Sequence, residues 1–291
     1  MTQNDIESII RTKDKILAVY PFLTRKEKDT FINLAEKEMS QAKEAKKTVR
    51  GLLELLNNPH AEIIEYKVYG KDFKKKFITE MSPSFRINDR VLFIKIPSWS
   101  TMLSGIDEKL KDYCFKNIEK YDGIIIDVRE NQGGSSSIAH GFAGIFFKKS
   151  VIYGKFTRVG SKGNLKTSAD KLNPDKNIYI EKPIVILISN RCFSSNELFL
   201  APFKVSKRAI LIGEPTRGGS ANPVMEVIEP QKGAKFGARI PTYRFFLKGE
   251  KEPIEKTKIH PDIIYKKKDI EEFAKGYLKK EIIVKTGTKP L

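Results

Sequence analysis

The segment Gly123-Ile-Ile-Ile-Asp-Val-Arg-Glu-Asn-Gln-Gly-Gly134 carries the pattern from which the fold can be worked out. Its apolar run predicts a buried strand, and its polar end with paired glycines predicts a turn into a helix at about 136–147. Backbone N–H groups at such a junction suit an anion or a developing oxyanion. For an arbitrary sequence, a tight turn in which only glycine fits the backbone angles is the commoner explanation.

Short apolar segments alternate with helical ones on both sides of this junction. The predicted strands are 91–96, 123–127, 184–188 and 209–212, and the predicted helices between and after them are 105–118, 136–147 and 195–204. Such an alternation indicates a parallel or mixed sheet covered on both faces. Residues 223–264 return to a hairpin-like β pattern, and a short helix ends the chain.

The first part of the chain has a different pattern. Residues 1–58 carry apolar side chains at helical spacing and predict a small helical bundle. Residues 59–90 change to a period of two, which predicts strands and a hairpin around Gly70-Lys-Asp72. The alternating residues are Ile64, Tyr66, Val68 and Phe77. We therefore predict an α/β protein with a helical bundle at 1–58, a β cap or linker at 59–90 and an α/β core at 91–291.

Composition narrows the classes of function. With 40% hydrophobic and 31% charged residues, the sequence is typical of a soluble globular protein. The net charge of +18 favours anionic partners, but the lysines are scattered without interleaved aromatic residues, so we predict no specific nucleic-acid binding. The two cysteines, Cys114 and Cys192, form neither a disulfide framework nor a zinc motif.

Targeting signals are not recognisable in the sequence. The first residues lack the basic segment and apolar run of a signal peptide, and no stretch approaches the ~20 apolar residues of a membrane span. We therefore expect a cytoplasmic location for the chain as given, although a chain trimmed of an export signal would look the same. The oligomeric state cannot be predicted.

A second strand-to-helix junction lies at Leu187-Ile-Ser-Asn-Arg-Cys-Phe-Ser-Ser-Asn-Glu197. A nucleophilic serine suits this place, because the turn is exposed at the edge of a sheet and a helix N-terminus stabilises negative charge. Serine and asparagine are also ordinary helix N-caps. Cys192 is an alternative nucleophile, but a free cysteine is more often a small buried hydrophobe.

A serine nucleophile needs a base, and the sequence contains three histidines. His140 lies inside a predicted helix beside apolar residues, which favours a packing role. His60 lies in a turn and His260 in a predicted edge strand, and spacing favours His60 only slightly. Lys95 is a further candidate base, although a lysine that points to solvent from an edge strand is common.

Four segments in order resemble the tail-specific (C-terminal processing) serine protease superfamily. The first junction is similar to the family's G-L-I-x-D-x-R-x-N-x-G-G motif, and Phe193-Ser-Ser-Asn-Glu197 is similar to S-A-S-x-E. Gly213-Glu-Pro-Thr216 matches G-E-x-T, and Lys258-Ile-His-Pro-Asp-Ile263 resembles a closing G-I-x-P-D-I motif. Aligning the second segment on its glutamate identifies Ser194 as the reactive serine.

The resemblance also bears on the base. Some members use a lysine in T-F-G-K-G, and Gly219 takes that place here in Thr216-Arg-Gly-Gly-Ser220. The nisin-resistance type instead carries a histidine in a motif like D-x-H-T after an N-terminal helical bundle. Asn57-Asn-Pro-His-Ala61 is similar to that motif, which implies His60 as the base. The interval of about 30 residues from His60 to the first core strand is too short for a PDZ domain, which this type also lacks.

The resemblance implies a fold and an activity. The fold is a helical bundle, a small β cap and a crotonase-like α/β core with a mixed sheet, and a substrate tail lies in the groove between cap and core. The activity is that of a serine endopeptidase that hydrolyses peptide bonds near the C-terminal end of peptides or proteins through an acyl-enzyme. No metal or cofactor is implied. The alternative is a catalytically inactive relative that binds peptides.

The expected site follows from these assignments. The oxyanion would lie between the backbone N–H of Ser195 and that of Gly133 or Gly134. Glu252 or Glu255 would orient His60, although a Ser–His dyad without an acid would also work.

Overall fold

The computed structural model describes residues 1–65, 71–103, 105–219, 222–231 and 234–286. The helices are α1 (Gln3–Val19), α2 (Arg25–Ser40), α3 (Ala45–Glu54), α4 (Lys71–Met81), α5 (Ile106–Lys116), α6 (Ser136–Ala143), α7 (Ser195–Ser206), α8 (Ile254–Thr257) and α9 (Ile270–Thr286). The strands are β1 (Glu62–Glu65), β2 (Ser84–Asn88), β3 (Val91–Lys95), β4 (Gly123–Asp127), β5 (Val151–Val159), β6 (Leu165–Leu172), β7 (Ile184–Ile188), β8 (Ile210–Gly213), β9 (Val224–Gln231), β10 (Ala234–Ile240), β11 (Tyr243–Leu247) and β12 (Ile263–Ile264). No helix in these ranges has the length and apolar content that a membrane span requires.

The central sheet has six strands in the order β12-β8-β7-β4-β3-β2. Strand β2 is antiparallel to β3, whereas β3, β4, β7, β8 and β12 run parallel. The prediction of a mixed α/β fold is therefore confirmed. Because β4 and β7 are parallel neighbours, their carboxyl ends meet at the same edge of the sheet. The two junctions identified in the sequence follow these two strands.

Both faces of the central sheet are covered. In β4, Ile124 and Ile126 belong to the large core that also contains residues of α5, α6 and α7. Ile125, which points to the opposite face, packs in a second core with residues of α9. Burial on both faces explains why β4 is a continuous apolar run without alternating polar residues.

The N-terminal helices cover a separate three-stranded sheet in the order β1-β10-β9. Buried residues of α1, α2 and α3 share a core with Ile228, Ala238 and Ile240. Strand β1 pairs antiparallel with β10, with Glu62 opposite Arg239. The predicted boundaries at 58 and 90 stay predictions. Two sheets cross the boundary at 90, since β1 pairs with β10 and β2 joins the central sheet.

The predicted hairpin around Gly70-Lys-Asp72 is wrong from Lys71 onward, where the chain forms helix α4. Its lysines and other straight-chain residues favour a helix, because they keep more side-chain freedom there than β-branched residues. Phe77 and Met81, one turn apart, both line the main cleft. Tyr66, Val68 and Gly70 lie outside the described residues.

A third sheet, in the order β11-β5-β6, forms another wall of the cleft. The sequence analysis does not predict the β5–β6 hairpin, because β6 is mostly exposed and polar and gives no hydrophobic period.

Candidate active site

The two strand-to-helix junctions are in direct contact. A methyl group on Gly133 would lie 2.8 Å from Ser194 Cβ and 3.1 Å from the backbone nitrogen of Ser195. Gly133 also has a φ of +102°, which favours glycine. The Ser195 hydroxyl donates to the carbonyl of Gly134 at 2.8 Å. Close approach to the second turn therefore explains the double glycine of the first.

Two buried asparagines hold these turns in place. The Asn131 side chain donates to the carbonyl of Ile96 at 3.1 Å and accepts from the N–H of Gly133 at 2.8 Å. The Asn196 amide donates to the carbonyls of Val128 and Asn131, and its oxygen accepts from the indole N–H of Trp99. Because both buried amides hydrogen-bond through their nitrogen and their oxygen, the turns have a defined position.

Ser194 lies at the tip of the second turn, on the wall of a cleft of about 1090 Å³. Its φ of 58° and ψ of −127° are rare for a residue with a side chain. Helix α7 begins at the next residue, so the positive end of its dipole lies at the serine. Strained backbone of this kind persists where the surroundings hold it, often at functional sites.

Glu197 holds the strained turn. Its buried carboxylate accepts from the N–H of Ser194 at 3.1 Å. It also accepts from the Thr216 hydroxyl at 2.5 Å and from the N–H groups of Gly218 and Gly219 at 3.0 and 2.9 Å. Burial raises the pKa of Glu197 to about 8, and these donors act in the opposite direction. The sequence pattern indicates Glu197 only as the end of the nucleophile motif and gives no sign that it connects the two segments.

His60 lies against the same turn. Its imidazole is fully buried and stacks on Phe193, with ring centroids 4.1 Å apart and planes inclined by 20°. Its backbone N–H donates to Asn58 Oδ1 at 3.0 Å. Neither ring nitrogen has a hydrogen-bond partner in the described part of the chain, so no hydrogen bond joins His60 to Ser194 in this state.

Gly219 makes room for this stack. A methyl group at this position would lie 2.2 Å from Phe193 Cε2 and 3.1 Å from His60 Nδ1. Phe193 and the imidazole thus occupy the space into which a side chain at position 219 would extend.

The surroundings keep the imidazole of His60 neutral. Burial is the largest cause, and together with the positive charges of Arg239 and Arg217 it lowers the pKa of His60 to about 3. Arg239 donates to Glu62 at 3.0 Å, and the Arg217 guanidinium lies 4.7 Å from the centre of the Phe193 ring. A neutral imidazole is the form that can accept a proton.

The two predicted orienting acids occupy different places. Glu255 accepts from the side-chain amide of Asn58 at 2.9 Å, and Asn58 in turn bonds the backbone of His60. Glu252 instead pairs with Lys256 at 2.8 Å. Neither ring nitrogen of His60 is bonded, so no acid among the described residues hydrogen-bonds the imidazole, and the orienting role stays a prediction. The sequence analysis does not foresee Asn58 as the connecting residue.

The predicted oxyanion donors differ in whether their N–H groups are already hydrogen-bonded. The N–H of Gly133 donates to Asn131, so it is not free for an oxyanion. Within the described ranges, the N–H groups of Gly134 and Ser195 donate to no acceptor on the protein. The structure therefore favours Gly134 over Gly133 as the partner of Ser195.

The other candidate bases and nucleophiles lie in less suitable places. His260 and Lys95 are exposed, and β3 is an inner strand of the sheet rather than the expected edge. Burial raises the pKa of Cys192 to about 12, which disfavours a thiolate. No group of three or more His, Cys, Asp or Glu side chains within the described ranges is arranged to hold a metal ion.

Comparisons with known proteins identify a sequence family and related folds. The sequence model described as peptidase family S41 matches residues 90–265. The carboxyl-terminal-processing peptidase 2 of Arabidopsis thaliana chloroplasts is 23% identical over 188 residues, which make up 64% of this chain and 35% of that relative. The chain therefore matches about a third of the length of this curated relative.

Two solved structures share the fold over nearly the whole chain. One is described as a candidate peptidase from Parabacteroides merdae, with a TM-score of 0.69, 17% identity and coverage of 95% of this chain and 96% of that one. The other is a lipoprotein from Streptococcus agalactiae, with a TM-score of 0.65, 21% identity and coverage of 96% and 98%. At these identities the likeness concerns the fold alone.

Proposed function

The chain belongs to peptidase family S41, and from this premise we propose that it is a serine peptidase in which Ser194 is the nucleophile and His60 its base. The family match spans residues 90–265, which include both junctions and Ser194. His60 lies outside that span, so its role is supported by its contacts.

The observation that carries the proposal is the environment of the imidazole. A buried polar group without a hydrogen bond costs about 1–3 kcal/mol, which a purely structural residue has no reason to retain. His60 is fully buried beside the nucleophile turn with both ring nitrogens unpartnered among the described residues. Catalytic hydrogen bonds are often absent without substrate and form in the enzyme–substrate complex.

The proposed reaction begins with attack of Ser194 Oγ on the scissile carbonyl carbon, while its proton moves to His60. The new C–O bond turns the carbonyl oxygen into an oxyanion, which the N–H groups of Gly134 and Ser195 stabilise. Collapse of this intermediate breaks the C–N bond, and His60 gives its proton to the leaving amine. An acyl-enzyme ester on Ser194 remains.

Hydrolysis of the ester repeats these proton transfers. A water molecule loses a proton to His60 and attacks the ester carbonyl, and the second tetrahedral intermediate uses the same oxyanion donors. Its collapse breaks the bond to Ser194 Oγ, which regains the proton from His60 and releases the new carboxylate end of the peptide.

Electrostatics favour the charged imidazolium only while the oxyanion exists. Burial and the two arginines disfavour a positive charge on His60 in the resting site. The oxyanion forms together with the imidazolium and persists in the tetrahedral intermediate, and its opposite charge compensates for this cost beside the buried ring.

We further propose that the substrate is an extended peptide or protein tail, bound in the cleft between cap and core and cut near its C-terminal end. Arg239 of the cap strand β10 and Ser194 of the core line the same cleft, so a bound chain would contact both. Resemblance of Asn57-Asn-Pro-His-Ala61 to the nisin-resistance motif supports that subtype.

The test combines active-site labelling with peptide cleavage. A fluorophosphonate probe should label Ser194 in the wild type, and mass spectrometry would locate the modified residue. A peptide panel that includes lantibiotics and free C-terminal tails should be cut by the wild type and not by Ser194→Ala. His60→Ala should lower the rate about 10²–10⁴-fold, as loss of a general base does. The exposed His260→Ala serves as control.

Two results would contradict the proposal. If the probe labels another residue, Ser194 is not the nucleophile. If His60→Ala cuts as fast as His260→Ala, the base is misassigned.

A further inference from the structure

Three titratable side chains in the cleft wall are not used by the proposed reaction. Tyr153 of β5 is fully buried, and its hydroxyl hydrogen-bonds Nε2 of His140 on α6 at 3.1 Å. The same hydroxyl makes a short hydrogen bond to Oδ2 of Asp170 on β6. His140 and Asp170 both line the cleft that contains Ser194.

The hydrogen bonds of this cluster meet at the hydroxyl of Tyr153. Burial lowers the pKa of His140, so its ring is neutral. The Tyr153 hydroxyl has a single proton, which it donates to Oδ2 of Asp170. The tyrosine therefore fixes the position of a carboxylate that lines the cleft.

Asp170 also lacks a countercharge. In a protein with a net charge of +18, it forms no ion pair within the described ranges, whereas Glu130 on the same cleft pairs with Arg191 at 2.5 Å. The second oxygen of Asp170 accepts from the N–H of Lys171 at 3.1 Å. An ionised carboxylate has about four acceptor sites, so further donors can bind there.

Aromatic rings line the cleft around this carboxylate. Phe156 lies between Tyr243 and Phe245, with ring centroids 5.4 and 5.0 Å away, and all three residues line the cleft. Such rings pack well against the aliphatic stem of a long cationic side chain and attract its charge.

We propose that Asp170, with these aromatic rings, forms a subsite for a lysine or arginine side chain of the substrate, whose positive charge pairs with the carboxylate. This inference rests on the proposed peptidase function, because it assigns a side-chain preference to the same cleft.

The proposed subsite lies in the same cleft as the nucleophile. Asp170 and Ser194 both line it, and so does Leu198, about one helical turn after Ser194. An extended peptide advances about 3.3 Å per residue, so one bound peptide can contact both places. The position of its cationic residue relative to the scissile bond is what the binding experiment determines.

Binding to the full-length Ser194→Ala variant tests the inference without catalysis. Fluorescent peptides would differ by one lysine or its uncharged analogue norleucine, placed at successive positions, and anisotropy would give each affinity. We expect one position at which lysine binds about tenfold more tightly, since a hydrogen bond to a charged group in a partly buried site gives at least this gain. Asp170→Asn should remove the preference, and Asp170→Lys should favour glutamate instead.

Controls separate the subsite from general effects. Glu130→Gln removes the same charge from a paired carboxylate of the same cleft and should keep the lysine preference. Asp170→Glu should restore it. Unchanged affinity of Asp170→Asn for the norleucine peptide would show that the cleft is intact.

The outcomes distinguish this inference from the proposed function. Equal affinity for lysine and norleucine peptides at every position, or the same preference in Asp170→Asn, overturns the subsite. Fluorophosphonate labelling of the wild type reports on the nucleophile separately. Labelled Ser194 without a lysine preference refutes only the subsite, and an Asp170-dependent preference without labelling refutes only the peptidase.

Discussion

A methyl group added at Gly219 tests whether the space beside this residue positions His60, the proposed base. The residue has no positive φ, so alanine suits its backbone and the effect of Gly219→Ala is purely steric. The new Cβ would lie 2.2 Å from Phe193 Cε2 and 2.9 Å from Cζ. Because non-bonded carbons prefer about 3.5 Å or more, the phenyl ring must move by about 1.3 Å. The imidazole of His60, which stacks on that ring, must move with it or lose the contact.

Two magnitudes follow from this displacement. Overpacking of a filled site costs about 1–3 kcal/mol, so guanidinium unfolding of Gly219→Ala should show this loss. A catalytic group misplaced by about 1 Å costs on the order of 10²-fold in rate, so kcat/KM should fall by about that factor. The control is Gly276→Ala in α9, where nothing lies within 4 Å of the new methyl and stability should rise by about 0.5–1 kcal/mol.

A second substitution shows whether the ring is the cause. Phe193→Leu combined with Gly219→Ala should recover part of the stability, because the smaller side chain relieves the clash. Recovery of activity would be incomplete, since the stack on His60 is lost. If Gly219→Ala alone keeps kcat/KM within twofold of the wild type, the reasoning is refuted, because the position of the base would not depend on this space.

Three further predictions concern the same site. The pKa of His60 is about 3 in the folded state and near 6.5 in the unfolded state, so its contribution to stability is complete above pH 6.5 and is lost as pH falls toward 3. Plots of unfolding free energy against pH for the wild type and His60→Gln should diverge by up to about 5 kcal/mol over this range. Parallel plots would contradict this prediction. Glu197→Ala removes the acceptor of four hydrogen-bond donors, on Ser194, Thr216, Gly218 and Gly219. The free energy of unfolding should fall by at least about 3 kcal/mol, and fluorophosphonate labelling should be abolished. A stable, labelled variant would show that Glu197 does not hold the turn of Ser194. Asn131→Ala removes the acceptor of the Gly133 N–H, and the displaced turn should weaken binding of the oxyanion. Steady-state kinetics should therefore show a lower kcat and a KM that changes less. An unchanged kcat would contradict this prediction.

The core could be predicted from sequence because its signals are local. Buried strands such as β4 are short continuous apolar runs, and the turns behind them carry residues with special backbone requirements. Since parallel strands end at one edge of the sheet, the meeting of the two junctions follows from the strand order. Resemblance then identified Ser194 within the second turn.

Other features depend on contacts between distant residues. The cap sheet joins β1 to β10, and nothing in either segment indicates the other. The role of Glu197 depends on hydrogen bonds from Thr216, Gly218 and Gly219. No sequence pattern indicates that these groups donate to a carboxylate about 20 residues earlier. The β5–β6 hairpin could not be predicted because strand β6 is exposed and polar. Helix α4 was not predicted because the alternating residues before it, Ile64, Tyr66 and Val68, suggested that the strand pattern continued.

The pairing of β1 with β10 also has a consequence for biosynthesis. His60 lies directly before β1, and β10 begins about 170 residues after β1 ends. At about 5–20 residues per second, a ribosome needs roughly 10–30 s to make that interval. Until then the histidine has no partner strand beside it to hold its place, although the N-terminal helices already exist. The arrangement of His60 beside the turn of Ser194 is therefore completed late, after the intervening core strands and α7 have emerged and had time to fold.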